Sequence, residues 1–556
     1  MTKQTVWEKV ASCLGAYGTE IVFGLPSDDL KLLQCIEEKE IEFFSAKDQS
    51  NALYMGTGYS LASGRLSVCH IGKGPAVASS ITGVLEASSQ SIPLLIIATA
   101  TDTNRYGSKK AFQEADQLKL ISPLTKWSHR VESAASVGWV LKKAIFTAIN
   151  GSQGPVYIEI PENIGSELVD EELFSFKHFH VSNKIPSSNS IREAQRLIHN
   201  ARNPVILAGG GCKRSTNRST TTQLAELIDA PIFVTASGRG CVDENHPLFC
   251  GLGGLYSSSE MDTLIKECDL FLSLGSKLEE TVLFGWEEHL LLRDMIEINI
   301  DENDFNLSFD SLKLVGEVGS TLNLLIETIE PSFKVTSQNK VSIIKKKLHE
   351  QKQEILQRND ELKVIDILEE METTLAENSV LVHENGLQDM WSYFYPNFKL
   401  KNEQNAIVPS EQTSLGFGCG AAVGVKKAHP DRPVIALVGD GAFNLFSVEL
   451  PTLITQKIPI IYVVLKNGGY GWLEFQNNSQ ETSFVEPSLS LVSIDHEQLC
   501  VLPLVEKNQL GKVFSESIKR MNEGKTVVIE ATVHLNDVPS ALSELYGDFP
   551  VKEVVQ

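Results

Sequence analysis

Short apolar, β-branched runs recur along the chain, separated by longer stretches whose apolar residues fall three or four apart. The runs read as strands buried on both faces and the stretches as helices. Predicted strands are 21–23, 94–98 and 156–160, the last closing its segment; then 204–208, 271–275 and 295–301; then 433–438 (PVIALV) and 459–465 (PIIYVVL). The N-terminal stretch MTKQTVWEKVASCLGAYG, residues 194–201 and residues 443–456 have helical spacing. Residues 182–190 (SNKIPSSNS) are polar and turn-rich, as in a linker, and 336–365 are charged with helical period, as in a solvated connecting helix. Strands alternating with helices predict an α/β fold with parallel sheets. At 556 residues the chain exceeds a single core. The expectation is three doubly wound parallel-sheet domains, over 1–180, 190–335 and 366–556.

Candidate chemistry concentrates in the last of these. Gly439-Asp440-Gly441 closes one strand, a helix follows, and the next strand ends just before Asn467, 27 residues after Asp440. Such a βαβ crossover is right-handed, so both strand ends open on one edge of the sheet, where ligands of α/β sheets bind. Asp440 and Asn467 can then meet around one hard cation. Gly439 and Gly441 let a bulky anion approach the backbone, and the helix start suits phosphate. Oxygen ligands beside a diphosphate suit Mg²⁺ better than zinc. A lone Gly-Asp-Gly is equally well explained by a tight turn; the Asn at the end of the next strand tips the reading to metal and diphosphate. Gly209-Gly210-Gly211 lacks the Gly-x-Gly-x-x-Gly spacing and reads as a strand-to-helix turn.

Composition narrows the partners. A net charge of −22 argues against nucleic acid and against an anionic membrane surface. No apolar run approaches the ~20 residues that cross a bilayer, and the N-terminus lacks the pattern of a signal peptide. Nine scattered cysteines without a Cys-x-x-Cys argue for reduced thiols and a cytoplasmic location.

The stretch from Gly439-Asp440-Gly441 to Asn467 resembles the thiamine diphosphate (ThDP) motif of the acetolactate synthase / pyruvate decarboxylase superfamily. The resemblance implies that Asp440, Asn467 and the carbonyl of Gly469 hold Mg²⁺, with Gly439, Gly441 and Ala442 around the diphosphate. Thr413-Ser414-Leu415-Gly416-Phe417-Gly418 resembles the stretch that cradles the aminopyrimidine: Thr413 through its C=O, Leu415 through its N–H and as the apolar wedge under the bent cofactor. Gly-rich helix packing would account for the same residues. Val22-Phe23-Gly24-Leu25-Pro26 resembles the opening strand and turn of the family. Ala111 to Asp116, followed by Thr125-Lys126-Trp127, resembles acetolactate synthases, which places Phe112 and Gln113 at the reacting centre; a helix start with a buried Phe is the plainer alternative. The family implies a pyrimidine-binding, a central and a diphosphate-binding domain. In some members the central domain holds FAD, which is possible here but supported by no residue.

The chain departs from the family at Ser45-Ala46-Lys47-Asp48-Gln49. Most relatives have His-Glu-Gln there, and the Glu bonds N1′ of the aminopyrimidine and so activates C2 of the thiazolium. Here Asp48 takes the Glu position and Lys47 the His position. Asp keeps the acid and loses about 1.5 Å of reach. Lys47 either receives a substrate carboxylate, pairs with Asp48 or stays in solvent. Ile71-Gly72-Lys73-Gly74-Pro75 replaces the usual Ser-Gly-Pro-Gly. The resemblance implies a ThDP- and Mg²⁺-dependent carboligase (a transferase or lyase). It would decarboxylate a 2-oxo acid, pyruvate by default, and pass the product to an acceptor carbonyl. A non-oxidative 2-oxo acid decarboxylase and a ThDP-binding homologue without turnover are the alternatives. The half-sites lie far apart in sequence, and in the family they come from different subunits, so a homodimer or homotetramer with the site at the interface is expected.

Overall fold

The structure is a computed structural model that describes residues 3–27, 29–177, 179, 184–214, 218–327, 329, 336–358, 361–401, 404–476 and 494–542. Three six-stranded sheets, parallel throughout, carry helices on their faces. In the first sheet the strands lie in the order Glu42–Ser45, Ile21–Gly24, Ser67–Ile71, Leu94–Ala100, Pro155–Pro161, Trp127–Arg130. In the last the order is Asn405–Ile407, Val380–His383, Val434–Gly439, Ile461–Lys466, Thr526–Thr532, Leu499–Leu504. Numbered by their appearance in each domain, both sheets have the order 2-1-3-4-6-5, so the first and last domains repeat one topology. The central sheet follows 3-2-1-4-5-6, with Pro204–Ala208 and Leu270–Leu274 as the adjacent strands where the order reverses. Such reversals leave a crevice at the carboxyl ends of the strands. For the last domain that crevice lies between Val380–His383 and Val434–Gly439, where Asp440 stands.

The strand interiors are apolar because helices cover both faces: Val434 to Val438 and Ile461 to Val464 are all at most 1% exposed. Helices Gln49–Ser63 and Phe417–Ala428 run side by side and join the first and last domains. Glycine makes their approach possible. A Cβ on Gly58 would lie 2.2 Å from the Ala421 carbonyl, and one on Gly424 1.8 Å from that of Met55. The helices start at the same end, since Gly420 faces Asn51 and Tyr54, while His429 bonds the carbonyl of Ala62.

Several sequence expectations change. Strand Pro155–Pro161 does not close the first segment, because Leu168–Asp170 pairs antiparallel with Lys3–Thr5. The helix expected at 194–201 begins earlier, at Ser188, inside the predicted linker, because Ser187 accepts the N–H of Ser190 as an N-cap. Residues 182 and 183 of that linker lie outside the described residues. Helix Thr336–Gln357 is not solvated all round: Val341, Leu348 and Lys352 are buried, and the Lys352 ammonium is satisfied by Glu369 and Glu372. The helix expected at 443–456 is three pieces, Asp440–Phe446, Ser447–Glu449 and Leu450–Thr455. All nine cysteines are free, and eight are buried.

Candidate functional site

Asp440 begins its helix directly after Gly439 ends the strand. Its Oδ1 accepts the N–H of Gly441 at 2.8 Å and its Oδ2 that of Gly468 at 3.1 Å, so the two strand ends meet at this carboxylate. Asn467 Oδ1 accepts the N–H of Gly469 at 3.1 Å. Gly468 has φ 78°, which lets the loop turn back towards Asp440. Burial pushes the Asp440 carboxyl up, against hydrogen bonds from Gly468, Gly441 and Asn467. A buried carboxylate and a side-chain amide offer hard oxygens at one sheet edge, and a divalent cation would stabilise such a carboxylate. The residues present therefore fit Mg²⁺ with a diphosphate beside Gly439, Gly441 and Ala442. A side chain at Gly441 would press on the Tyr470 ring, 3.0 Å from the added Cβ.

The stretch expected to cradle the pyrimidine leads into helix Phe417–Ala428, which packs on the strand end at His383. Thr413 and Gly416 both have positive φ, 45° and 91°, which turns the chain so that Leu415 stays 38% exposed while Phe417 is fully buried. Gly418 packs on backbone, 2.3 Å from the His383 carbonyl to an added Cβ. Close helix packing and an exposed apolar side chain are thus both present, on different residues of the same stretch.

What holds the cradle escaped sequence reasoning. Glu384, fully buried, accepts the N–H groups of Gly416 at 3.0 Å, Gly418 at 2.8 Å, Cys419 at 3.3 Å and Asn385 at 3.2 Å. It acts as the N-terminal cap that Phe417–Ala428 lacks from its own Gly416. Burial pushes its carboxyl up to about 7, although these four N–H groups favour the charged form. Because the folded value lies above the ordinary 4.5, stabilisation from the protonated acid is full below about pH 4.5 and is lost as pH rises through about 7. The shift corresponds to roughly 3 kcal/mol. Asp389, Asp440 and Glu449 are shifted the same way by burial. Glu384→Gln should therefore lower stability while flattening, by about this amount, the fall in unfolding free energy between pH 5 and 8. Urea titrations of both proteins check it; equal slopes would exclude Glu384 as a titrating group.

Asp48 is the N-cap of Gln49–Ser63: its Oδ1 accepts the N–H groups of Ser50 at 2.8 Å and Asn51 at 3.2 Å. The shorter acid has folded back on its own helix. Lys47 is exposed, and both Lys47 and Asp48 donate their backbone N–H to Glu449 of the last domain. Phe112 is not the buried start of a helix. Residues 111–116 form a loop, the helix begins at Gln117, and Phe112 is 72% exposed. Lys73, nearly buried and paired with Glu162, lies 5.7 Å from the Phe112 ring centroid. Gly74 has φ 57°, and a Cβ there would meet the Gln113 carbonyl at 2.4 Å. The departure at 71–75 and the Phe112-Gln113 pair thus form one surface.

The central crevice opens into a cleft of about 620 Å³, lined by Gly210, Ser237, Lys277, Glu279, Asn299 and Glu411 among others. Gly209 and Gly211 serve the turn: Gly211 N–H donates to the Gly275 carbonyl at 3.0 Å, and a Cβ on either glycine would clash there. Burial, with Glu411 nearby, pushes Glu279 up to about 7.

Comparison with known proteins decides the family. Residues 4–120 match the profile of the thiamine pyrophosphate enzyme N-terminal TPP binding domain, 191–325 that of the central domain, and 384–530 that of the C-terminal TPP binding domain. The chain is a thiamine pyrophosphate enzyme. It is similar to the acetolactate synthase large subunit of Lactococcus lactis subsp. lactis, 25% identical over 560 residues that cover 97% of this chain and 94% of that one. It is also similar to the probable acetolactate synthase large subunit of Methanococcus aeolicus, 26% identical over 500 residues (84% and 82%). The acetolactate synthase large subunit of Haemophilus influenzae is 25% identical over 485 residues, 85% of this chain and 84% of that one. As a thiamine pyrophosphate enzyme, the chain carries its TPP binding domains at the two ends, with the central domain between. No helix among the described residues is long and apolar enough to cross a membrane.

Proposed function

We propose that this thiamine pyrophosphate enzyme decarboxylates a 2-oxo acid, pyruvate by default, and transfers the remaining acyl carbon unit to an acceptor carbonyl. The observation that carries the reading is the meeting of Asp440 and the Asn467-Gly468-Gly469 turn at one sheet edge, with Leu415 left exposed on the loop that enters helix Phe417–Ala428. When bound, ThDP supplies a nucleophilic C2 and an electron sink for the bond to the departing carboxylate. The residues of the chain do the rest. Asp440, Asn467 and Gly469 hold Mg²⁺; Thr413 and Leu415 orient the aminopyrimidine; Phe112 and Gln113 border the substrates. Lys47, exposed beside Asp48, offers a charge to a substrate carboxylate.

Asp48 is assigned the proton on N1′. Its Oδ1 is engaged in helix capping, which leaves Oδ2 for this task. That engagement is also what favours the second reading, a ThDP-binding homologue with little turnover. A screen of 2-oxo acids for CO₂ release, with ThDP and Mg²⁺ and with or without an aldehyde or ketone acceptor, tests the proposal. Release that depends on Asp48 together with a condensed product supports carboligation. Release without a condensed product supports a non-oxidative decarboxylase, and no release supports the second reading.

A homodimer or homotetramer with the site at the interface completes the proposal, in a cytoplasmic protein. Phe112 on the first domain and Leu415, Leu445 and Val448 on the last are large apolar residues left exposed around the site. Sedimentation of the holoenzyme should give a dimer or tetramer, and a monomer that binds ThDP tightly would overturn this assembly.

A further inference from the structure

The shared topology of the first and last domains produces an exchange of carboxylates between them. Glu449 lies on the helical run that follows the third strand of the last domain, and it reaches the loop entering helix Gln49–Ser63 of the first. There it accepts the N–H of Lys47 at 2.9 and 3.0 Å, the N–H of Asp48 at 3.1 Å and the Asn51 amide at 3.0 Å. Glu86 lies on helix Pro75–Ser89, which follows the third strand of the first domain. It reaches the loop entering Phe417–Ala428 of the last, accepting the N–H of Ser410 at 2.5 Å and of Ser414 at 3.3 Å. Both glutamates are fully buried. Each domain therefore holds the segment that the other contributes to the cofactor.

The two clamps differ in what they hold. Glu86 fixes the backbone beside the Leu415 wedge, a binding element. Glu449 fixes the backbone of the single acid assigned to N1′. With the shortened side chain at 48, the position of the acid depends wholly on where the backbone is placed, because Asp has one rotatable bond fewer than Glu with which to adjust. Glu449 also sits nine residues beyond Asp440, at the end of the 3-10 turn Ser447–Glu449 that follows helix Asp440–Phe446. The backbone of Asp48 is thus tied to the diphosphate-binding domain of its own chain, whichever subunit's cofactor it serves.

We propose that Glu449 is a positioning residue for Asp48, setting the reach of that acid towards the aminopyrimidine from the diphosphate-binding domain. The inference rests on the ThDP reading above. Its test separates the two. In the apo protein, amide hydrogen exchange of a peptide spanning 46–53 reports the clamp without any cofactor. Glu449→Gln replaces one acceptor oxygen by an NH₂ facing N–H donors, so exchange there should rise at least tenfold. With ThDP and Mg²⁺ bound, hydrogen–deuterium exchange at C2 reports Asp48. It should fall ~10–30-fold in Glu449→Gln, with the Kd for ThDP changed less than threefold and the pH dependence of C2 exchange displaced. Glu449→Asp, which keeps the charge, should restore part of the rate. Glu86→Gln should show the reverse pattern, a weaker Kd with little change in C2 exchange at saturation. Unchanged amide exchange in Glu449→Gln would overturn the clamp. Looser amides with unaltered C2 exchange, or losses in rate and affinity that run in parallel, would overturn the positioning role. A wild-type protein that fails to bind ThDP, yet loosens at 46–53 in Glu449→Gln, would sink the cofactor reading and with it the role assigned to Asp48, while leaving the clamp itself in place.

Discussion

Asp440→Ala should remove ThDP binding at millimolar Mg²⁺, raising the Kd at least a thousandfold and abolishing turnover. The substitution deletes the one carboxylate of the proposed metal set, and it also leaves the N–H groups of Gly441 and Gly468 without their acceptor. Removing one member of a buried, hydrogen-bonded charged group costs ~3–5 kcal/mol, and three decades in Kd correspond to about 4 kcal/mol. Asp440→Asn keeps the shape and one acceptor oxygen but not the charge. It should hold the two strand ends together, with a near-normal melting temperature, while still losing most Mg²⁺-dependent affinity. Titration of tryptophan fluorescence with ThDP at fixed Mg²⁺ measures both variants. Wild-type affinity in Asp440→Asn would place the cation elsewhere.

Substitutions at Asp48 should have the second largest effect and the more informative one. Asp48→Ala should slow C2–H exchange of bound ThDP by ~10²–10³-fold, the scale of a lost general acid–base group. Asp48→Glu should speed it, because the added methylene carries the carboxylate beyond the helix start. The same change gives up the N-cap bonds to Ser50 and Asn51, at about 1 kcal/mol of stability. Stability and proton transfer should therefore move in opposite directions in this one variant. Parallel loss of both would mean that the Asp is already optimally placed. Wild-type exchange no faster than that of free ThDP would favour the homologue without turnover.

Most of the architecture was legible because its signals are local. A β-branched run such as 434–438 is buried on both faces wherever it pairs, and the strand-to-helix switch at Gly439-Asp440 is written in adjacent residues. The same holds for Asn467, since a βαβ unit brings its two strand ends to one edge. Local reasoning failed where burial was decided by distant chain. A window of sequence around Phe112 leaves a buried helix start open beside the site position that the resemblance implies, and only the fold shows the residue exposed on a loop. Helix Thr336–Gln357 looks solvated, yet Lys352 is buried because Glu369 and Glu372 come to meet it. Glu384 has no motif that announces it; only the fold shows four backbone N–H groups converging on its carboxylate.

Sequence by itself determined the α/β class, and it proposed Asp440 and Asn467 as a metal pair and the anomaly at Asp48, because each depends on residue type and on spacing within one or two elements. Tertiary structure alone decided what surrounds that anomaly. Asp48 turns its side chain onto its own helix, and Glu449, some 400 residues away, holds its backbone. A carboxylate is buried with its charge satisfied only where donors from separate segments converge, and that convergence exists only once the two domains have packed.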